Sequence, residues 1–553
     1  MQLSGAEIMC RILAEEGITT VFGYPGGAIL PFYDALRQSP IQHILTAHEQ
    51  GAAHAADGFA RASGKVGVCI ATSGPGATNL VTGLATAYLD SIPVVAITGQ
   101  VNRALIGHDA FQEVDITGIT MPITKHNFLV KKPENLAQTL RLAFQLAREG
   151  RPGPVLVDVP RDVQTALIDF EEACLEKLQP LKPDAARVAA AAMAISKAQR
   201  PVMLIGGGVI NANAEYDAMH LCEKLHMPVV STLMGLGAIS AYRQLFLGMT
   251  GLHGHERANN AVKEADLILA VGSRFNDRVT GERSSYSANK LVIHLDIDPA
   301  EVDKNIDSGI GITGDMVTTL QALEKEAEQH DLSSWWDKIN SWPGMDDDFG
   351  DEEAPKFFKA LNPVLKDKDY IITTDVGQHQ MWAAQHLKIQ FARQWLTSGG
   401  LGTMGFGLPA ALGAQLARPQ SRVISISGDG GFKMTGSELF TIAGNKVPVI
   451  AIVFNNSGLG MIRQLQTVQF SKRFTACELP GYVDFVKYAA AFGIEGEHVD
   501  KPEALAQAVA KAWERRVPYL IEVCINPRNM VLPMVAPGLG INDFVKFAND
   551  EIN

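Results

Sequence analysis

Cysteine is scarce in this sequence. Only six of the 553 residues are cysteines, and they are scattered along the chain: Cys10, Cys69, Cys174, Cys222, Cys477 and Cys524. No two of them form the CxxC pair of a metal or redox motif, and the spacing is unlike that of a disulfide framework. We therefore expect reduced, buried thiols and a protein of a reducing compartment, namely the cytoplasm.

Long apolar runs are also missing. No uninterrupted apolar run reaches the roughly 18 residues that a membrane-spanning helix needs. The first 17 residues, MQLSGAEIMCRILAEEG, contain three glutamates and read as an amphipathic helix rather than as a signal or transit peptide. We expect no membrane partner.

The chain has no excess of basic residues. Its 48 lysines and arginines stand against 60 acidic residues, which gives a formal net charge of −12. This balance argues against nucleic acid or an anionic membrane surface as a partner. An anionic substrate would need a local cationic pocket.

Strands alternate with helices along the whole chain, which predicts α/β domains with doubly wound parallel sheets. Apolar strand patterns fall in three blocks: 20–23, 41–47, 66–72, 94–98 and 155–159; then 202–205, 267–271 and 291–295; then 370–374, 423–427 and 447–454. Charged or acidic linkers separate the blocks at 170–187 and 329–355. We expect three domains, at 1–168, 188–328 and 356–553, which suits the length at about 150 residues per domain.

The stretch 423–466 carries the most informative motif. Two strand patterns flank a predicted helix over 434–444; the first ends in Gly428-Asp429-Gly430-Gly431 and the second in Asn455-Asn456. The carboxyl ends of neighbouring parallel strands are where such sheets bind ligands. Asp429 and Asn456 offer the oxygen ligands that Mg²⁺ prefers, and the glycines leave backbone N–H groups accessible to a diphosphate.

A GDG triplet alone is also typical of a surface turn. Here, however, Asn456 of the Asn455-Asn456 pair follows 27 residues after Asp429, and this combination resembles the thiamine-diphosphate (ThDP) enzymes. Further stretches are similar to the large catalytic subunit of acetohydroxyacid synthase (acetolactate synthase): FGYPGG at 22–27, TSGPGATN at 72–79, DAFQEVD at 109–115, GRPGP at 150–154, RFNDR at 274–278, DVGQHQ at 375–380 and VLPMV at 531–535. Family members decarboxylate pyruvate and join the remaining two-carbon unit to pyruvate or 2-oxobutyrate, which opens branched-chain amino acid synthesis.

Glu49 follows the strand pattern 41–47 and lies in a predicted loop at 48–51, before small residues that begin a predicted helix at 52–62. A glutamate there is also typical of a solvated cap. The resemblance instead implies that Glu49 activates the cofactor through its pyrimidine ring. In this family that acid and the diphosphate site belong to different subunits, which implies a homodimer or homotetramer; a small regulatory subunit is a further expected partner.

The resemblance also assigns the other site residues. Mg²⁺ would be held by Asp429, Asn456 and the carbonyl of Gly458. The cofactor would contact Val376, Gly377, Gln378, His379, Gly402, Met404, Gly428, Asp429, Gly430, Gly431 and Asn456, with Met404 wedging it into a bent shape. The reaction pocket would be lined by Gly26, Phe111, Gln112, Arg161, Arg278, Met404, Met461, Ile462 and Leu465, with Arg278 as the clamp for a substrate carboxylate.

A second cofactor, FAD, is implied for the middle block. The expected contacts are Arg151, Gly206, Gly207, Gly208, His253, Arg274, Asp296 and Asp315. Glycines after one strand and acids after another are compatible with any doubly wound domain, so the residues alone leave the ligand open. Because carboligation has no net redox change, this FAD would be structural.

Two positions depart from the family pattern. Leu465 stands where many members have tryptophan, so we expect a wider pocket with a weaker preference for 2-oxobutyrate and lower sulfonylurea sensitivity. Arg161 replaces the usual lysine.

The alternatives to this function are a pyruvate oxidase with redox-active FAD, a catabolic acetolactate synthase without FAD, and a non-catalytic scaffold. Glyoxylate carboligase fits less well because it lacks the activating glutamate.

Overall fold

The computed structural model describes residues 1–173, 179–347, 353–536 and 538–545. Within them the chain forms three six-stranded sheets, each wholly parallel and flanked by helices. The predicted α/β fold with doubly wound parallel sheets is confirmed. Cys174 and parts of both predicted linkers lie outside the described residues.

The N-terminal unit has the strand order β3-β2-β4-β5-β7-β6, and the remaining pair, β1 and β8, forms a separate antiparallel ribbon. Its strands are β1 (Gln2–Ser4), β2 (Thr20–Gly23), β3 (Gln42–Leu45), β4 (Gly67–Ala71), β5 (Val94–Gln100), β6 (His126–Leu129), β7 (Val155–Pro160) and β8 (Leu167–Asp169). Its helices are α1 (Gly5–Glu15), α2 (Leu30–Leu36), α3 (Glu49–Ser63), α4 (Pro75–Asn79), α5 (Val81–Asp90), α6 (Ile116–Thr120), α7 (Leu136–Arg148) and α8 (Arg161–Thr165). The central strands read as continuous apolar runs because helices cover both sheet faces.

The middle unit has the order β11-β10-β9-β12-β13-β14. Its strands are β9 (Pro201–Ile205), β10 (Val229–Ser231), β11 (Phe246–Met249), β12 (Leu267–Val271), β13 (Leu291–Asp296) and β14 (Ile310–Thr313). Its helices are α9 (Ala185–Ile195), α10 (Gly207–Asn211), α11 (Glu215–Leu225), α12 (Glu256–Glu264), α13 (Asp277–Thr280), α14 (Arg283–Ser287), α15 (Met316–Glu326) and α16 (Ser333–Asn340).

The C-terminal unit has the order β16-β15-β17-β18-β20-β19. Its strands are β15 (Tyr370–Thr374), β16 (Trp395–Thr397), β17 (Arg422–Gly428), β18 (Ile450–Asn455), β19 (Glu495–Val499) and β20 (Tyr519–Cys524). Its helices are α17 (Glu353–Leu365), α18 (Gln378–His386), α19 (Gly407–Ala417), α20 (Asp429–Thr435), α21 (Leu439–Gly444), α22 (Gly460–Gln469), α23 (Phe485–Ala490) and α24 (Pro502–Arg515).

Helices α3 and α19 join the N-terminal and C-terminal units through very close backbone packing. A Cβ atom added at Gly58 would lie 2.2 Å from the carbonyl oxygen of Ala410, and one at Gly413 would lie 1.8 Å from that of Ala55. A side chain at either glycine would therefore force the two helices apart. Their small residues share one buried apolar cluster.

The structure corrects three expectations. The predicted helix over 434–444 is interrupted: α20 ends at Thr435, a 3-10 turn spans Gly436–Glu438, and α21 starts at Leu439. Gly436 and Ser437 are weak helix formers, which explains the break. Glu49 is the first residue of α3 rather than part of a loop that precedes a later helix. Cys524, expected to be buried, is exposed.

Among the described residues, no helix combines the length and the apolar character needed to cross a lipid bilayer.

Candidate active site

The proposed metal ligands lie at the carboxyl ends of β17 and β18, which are paired neighbours. Asp429 begins α20, and Asn456 follows β18 directly. The N–H of Gly458 donates hydrogen bonds to Asp429 Oδ2 and to Asn456 Oδ1, each at 3.1 Å, so the two side-chain oxygens converge on one backbone group. Burial raises the pKa of Asp429 to about 6. A buried carboxylate beside an amide oxygen is a fitting donor set for Mg²⁺.

Three helices begin beside these oxygens with uncapped amino ends. The N-cap residues of α18, α20 and α22, which are Gly377, Gly428 and Leu459, form no side-chain capping bond. All three residues line one cavity. Free N–H groups at helix starts bind anions well, and the arrangement suits a diphosphate.

His379 and Gln378 differ in their suitability for that diphosphate. His379 Nε2 is buried without a hydrogen-bond partner, and burial lowers the pKa of the ring to about 4. Gln378 Nε2 donates to Gln464 Oε1 at 2.8 Å and to the Asn529 carbonyl at 2.9 Å. Its unpartnered atom is therefore the acceptor Oε1, which cannot donate to a phosphate oxygen. His379 is the better candidate.

The other expected cofactor and pocket residues of the C-terminal unit line the same cavity. They are Val376, Gly402, Met404, Gly430, Gly431, Asn456, Met461, Ile462 and Leu465. Arg278 joins them from the middle unit; its side chain is 64% exposed, and its Nε lies 3.8 Å from Asp277 Oδ2. Among the residues that the structure describes, this exposed guanidinium has no closer acidic partner, so it is available to a substrate carboxylate.

The expected site residues of the N-terminal unit form a separate group. Each follows a strand of its sheet: Gly26 after β2, Glu49 after β3, Phe111 and Gln112 after β5, and Arg161 after β7. None of them lines the cavity that holds Asp429. Phe111 is 87% exposed. Within one chain, the described residues therefore divide the expected site into two groups that do not share this cavity.

Glu49 is held by its neighbours at the start of α3. It is buried, with 9% of its surface exposed, and its Oε2 accepts a 2.9 Å hydrogen bond from Asn79 Nδ2. A Cβ added at Gly76 would lie 3.2 Å from Oε1. Oε1 therefore faces a glycine, where a flat ring could approach.

The cavity is larger than one cofactor requires. Its volume is about 1350 Å³, whereas a pocket for one small ligand measures about 300–1000 Å³. It extends across the carboxyl edge of the middle sheet, where it is lined by all the residues expected to contact FAD: Arg151, Gly206, Gly207, Gly208, His253, Arg274, Asp296 and Asp315.

Several polar groups in this second part of the cavity lack partners among the described residues. His253 Nε2, Ser273 Oγ and Trp395 Nε1 are buried without a hydrogen bond. Burial lowers the pKa of His253 to about 4, so the ring is neutral near pH 7. Because buried polar atoms are normally bonded, these groups indicate a polar ligand.

Other expected FAD contacts are already engaged. Arg151 donates to Glu301 Oε1 at 2.6 Å and to Ser91 Oγ at 2.8 Å. Burial raises the pKa of Asp296 to about 6. A Cβ added at Gly206 would lie 2.0 Å from the Gly272 carbonyl oxygen, so this glycine is needed for strand packing as well.

Sequence reasoning missed two residues that shape the cavity. Asp375, fully buried after β15, accepts the N–H of Gly405 at 2.9 Å, and burial raises its pKa to about 6. Asp90, from the N-terminal unit, accepts the N–H of Gly400 at 2.7 Å and pairs with Arg61 at 2.8 Å. Together they fix the loop that carries Met404. Asp375 lies in the DVGQHQ stretch and could have been noticed; nothing local marks Asp90.

Family models for three domains match the chain. "Thiamine pyrophosphate enzyme, N-terminal TPP binding domain" matches residues 3–119, the central domain of the same enzymes matches 188–323, and their C-terminal TPP binding domain matches 375–523. The matches follow the order of the three sheets.

Curated relatives match the chain over nearly its whole length. The chain is 47% identical to the "Probable acetolactate synthase large subunit" of Methanocaldococcus jannaschii, over 98% of this chain and 95% of that protein. It is 46% identical to the "Acetolactate synthase isozyme 2 large subunit" of Escherichia coli, over 98% and 100%. It is 45% identical to the "Acetolactate synthase large subunit" of Corynebacterium glutamicum, over 98% and 90%.

Proposed function

The chain belongs to the acetolactate synthase large-subunit family of thiamine pyrophosphate enzymes, and on this premise we propose that it is a transferase that makes acetolactate. The carboxylate–carbon bond of pyruvate breaks and CO₂ leaves. The remaining two-carbon unit forms a bond to the carbonyl carbon of a second pyruvate or of 2-oxobutyrate, whose oxygen takes up a proton. The products, 2-acetolactate and 2-aceto-2-hydroxybutyrate, lead to the branched-chain amino acids.

The convergence of Asp429 and Asn456 on Gly458, beside three uncapped helix starts, is the observation that carries the proposal. These residues fit Mg²⁺ and a diphosphate. When bound, ThDP would supply a carbon nucleophile and a cationic ring that takes up the electron pair left behind when CO₂ departs.

The chain's own residues orient and protonate the reactants. Glu49 keeps one oxygen fixed on Asn79 and offers the other to the cofactor's pyrimidine, where it holds or accepts a proton. Arg278 binds the carboxylate of the acceptor. Leu465 leaves the acceptor pocket wider than an indole would, which weakens the preference for 2-oxobutyrate.

We further propose that two copies of the chain build each active site. Glu49, Gly26, Phe111, Gln112 and Arg161 lie apart from the cavity that holds Asp429, so a second copy would bring its N-terminal group against this cavity. The exposure of Phe111 supports such a contact, since an exposed phenylalanine is favourable at an interface. A homodimer or a homotetramer satisfies this requirement, and the relatives' name "large subunit" supports a smaller regulatory partner.

The second half of the cavity supports a structural FAD held near His253, Arg274 and Ser273. The three sheets support domains at 1–168, 188–328 and 356–553. Cytoplasmic location is supported by the absence of any disulfide among Cys10, Cys69, Cys222, Cys477 and Cys524, the cysteines within the described residues.

Turnover of pyruvate by the purified protein with ThDP, Mg²⁺ and FAD tests the proposal, with Glu49→Gln in parallel. We expect acetolactate and CO₂ without oxygen uptake, and nearly complete loss in the variant. Stoichiometric oxygen uptake with acetate would assign the protein to the oxidases. Full activity without any flavin would favour a FAD-free catabolic enzyme, and no turnover would favour a scaffold.

A further inference from the structure

Glu438 is a buried acid whose role the expected mechanism leaves open. It ends the 3-10 turn between α20 and α21, in the C-terminal unit, and is only 1% exposed. Its carboxylate forms no ion pair among the described residues. Instead it accepts hydrogen bonds from the N–H of Ala47 at 3.1 Å, from the N–H of His48 at 3.2 Å and from the hydroxyl of Thr441 at 2.7 Å.

Two of these three bonds cross to the N-terminal unit, at the segment that directly precedes Glu49. Helix α3 starts at Glu49, and His48 is its N-cap. A Cβ added at Gly51 would lie 1.9 Å from Glu438 Oε1, so only glycine lets the carboxylate rest on this turn. Helix residues two positions apart are rotated by about 200°, so Glu438 supports the face of α3 opposite to the Glu49 side chain.

Burial and hydrogen bonding act on the pKa of the Glu438 carboxyl group in opposite directions. Burial raises the pKa of Glu438, and the hydrogen bonds from Thr441, Ala47 and His48 oppose that rise. The amino end of the 15-residue helix α3 also favours a negative charge beside it. Burying a carboxylate that has no cationic partner among the described residues is costly, and its hydrogen bonds to Ala47, His48 and Thr441 offset part of that cost.

We propose that Glu438 is a positioning residue that fixes the first turn of α3 and thereby the direction in which Glu49 points. This inference rests on the proposed role of Glu49 toward ThDP. Glu438 belongs to the same βαβ segment as Asp429 and Asn456, so it also connects the diphosphate-binding unit to the acid that would act in the neighbouring active site of the oligomer.

Amide hydrogen exchange in the cofactor-free protein tests the contact itself. In Glu438→Gln, which is nearly isosteric, the oxygen can accept only one of the two backbone donors. We expect exchange at Ala47 or His48 to accelerate at least about tenfold. Thr441→Val is the matched control: it removes the hydroxyl donor and keeps both backbone bonds, so exchange at both amides should stay within about threefold of the parent.

Exchange of the C2 proton of bound ThDP tests the consequence for Glu49. We expect Glu438→Gln to slow it at least about tenfold at saturating cofactor while the affinity for ThDP and Mg²⁺ changes by less than about threefold. Glu49→Gln sets the lowest rate of C2-proton exchange that we expect, and Thr441→Val should exchange this proton at nearly the rate of the parent protein. The proposal would be overturned if Glu438→Gln, or a folded Glu438→Ala, exchanged the C2 proton at the rate of the parent protein. It would also be overturned if the affinity for ThDP and Mg²⁺ fell by the same factor as the exchange rate.

Hybrid oligomers separate an effect on Glu49 from one on the cofactor held by the same chain. Because the proposed sites are shared, pairing the double variant Glu49→Gln/Glu438→Gln with the parent chain leaves one site whose Glu49 has an intact Glu438 behind it. We expect about half of the parent activity from this pair, and far less when the two substitutions are on different chains. The reverse order would overturn the proposal. Failure of pyruvate turnover by the parent protein would refute the proposed function while the amide exchange still tested the contact.

Discussion

Asn79 Nδ2 donates a 2.9 Å hydrogen bond to Glu49 Oε2. Asn79 ends α4 and Glu49 begins α3, so the bond joins the helices that follow β4 and β3 of the N-terminal sheet. It leaves Oε1 as the oxygen available to a ligand near Gly76. The pair explains how a buried acid that has no cationic partner in the described ranges is held in one orientation.

Replacing Asn79 with alanine should slow turnover without weakening cofactor binding. A hydrogen bond to a charged group contributes about 1.5–3 kcal/mol, so kcat should fall roughly 10- to 100-fold. Steady-state kinetics with ThDP titrations would measure this. Thr78→Ala is the matched control, because within the described part of the chain its hydroxyl donates to the Pro75 carbonyl and to no other group. An equal loss in this control would contradict a specific role for Asn79.

Binding of Mg²⁺ should weaken in acid. Burial raises the pKa of Asp429 to about 6 in the metal-free protein, and only the ionised form binds the cation. The affinity should therefore be nearly constant above pH 7 and fall about tenfold for each pH unit below 6. Calorimetric titration of Mg²⁺ with ThDP between pH 5 and 8 would measure it.

Asn456→Ala provides the control for this pH dependence. Loss of an amide ligand should weaken Mg²⁺ binding at every pH and leave the slope unchanged, because the amide does not titrate in this range. Asp429→Asn should abolish the slope. An affinity that stays flat from pH 5 to 8 in the parent protein would contradict the assigned ligand.

Much of the candidate metal site could be predicted from sequence because its signals are local. The strand patterns before Asp429 and Asn456 place both residues at one sheet edge, and the structure brings them onto Gly458. The glycines of the same motif mark the start of α20. The spacing of apolar residues and the residue types found in turns are enough to predict such features.

Distant hydrogen bonds could not be predicted in this way. Gln378 was expected at the diphosphate, but its amide hydrogens go to Gln464 and Asn529, which lie 86 and 151 residues away. Glu438 reaches Ala47 across 391 residues. No local pattern encodes these partners, because tertiary packing alone selects which buried donor meets which acceptor.

Leu465→Trp should raise the preference for 2-oxobutyrate. The indole would narrow the acceptor pocket and contact the extra methyl group of this substrate; one buried methylene contributes about 0.8 kcal/mol, or roughly fourfold in the product ratio. The ratio of 2-aceto-2-hydroxybutyrate to acetolactate in competition would measure it. Leu465→Met conserves the side-chain volume and should leave the product ratio unchanged. If Leu465→Trp also left the ratio unchanged, the assignment of Leu465 to the acceptor pocket would be wrong.

If the FAD is structural, carboligation should not depend on the redox chemistry of the flavin ring. Protein reconstituted with 5-deaza-FAD, whose ring cannot carry out one-electron chemistry, should regain carboligase activity and thermal stability together. Arg274→Gln should lower flavin content without changing the product. Loss of activity with the analogue at full occupancy would instead require a redox role for FAD.

The central claim is that two chains share each active site, and complementation between two inactive variants tests it most directly. Glu49→Gln and Asp429→Asn would be co-expressed with different tags, and the hybrid oligomer purified through both. Each variant alone should be inactive, whereas the hybrid should recover about half of the parent activity in a dimer, because one of its two sites combines an intact Glu49 with an intact Asp429. A hybrid as inactive as its parts would contradict shared sites and place Glu49 and Asp429 in the same chain's site.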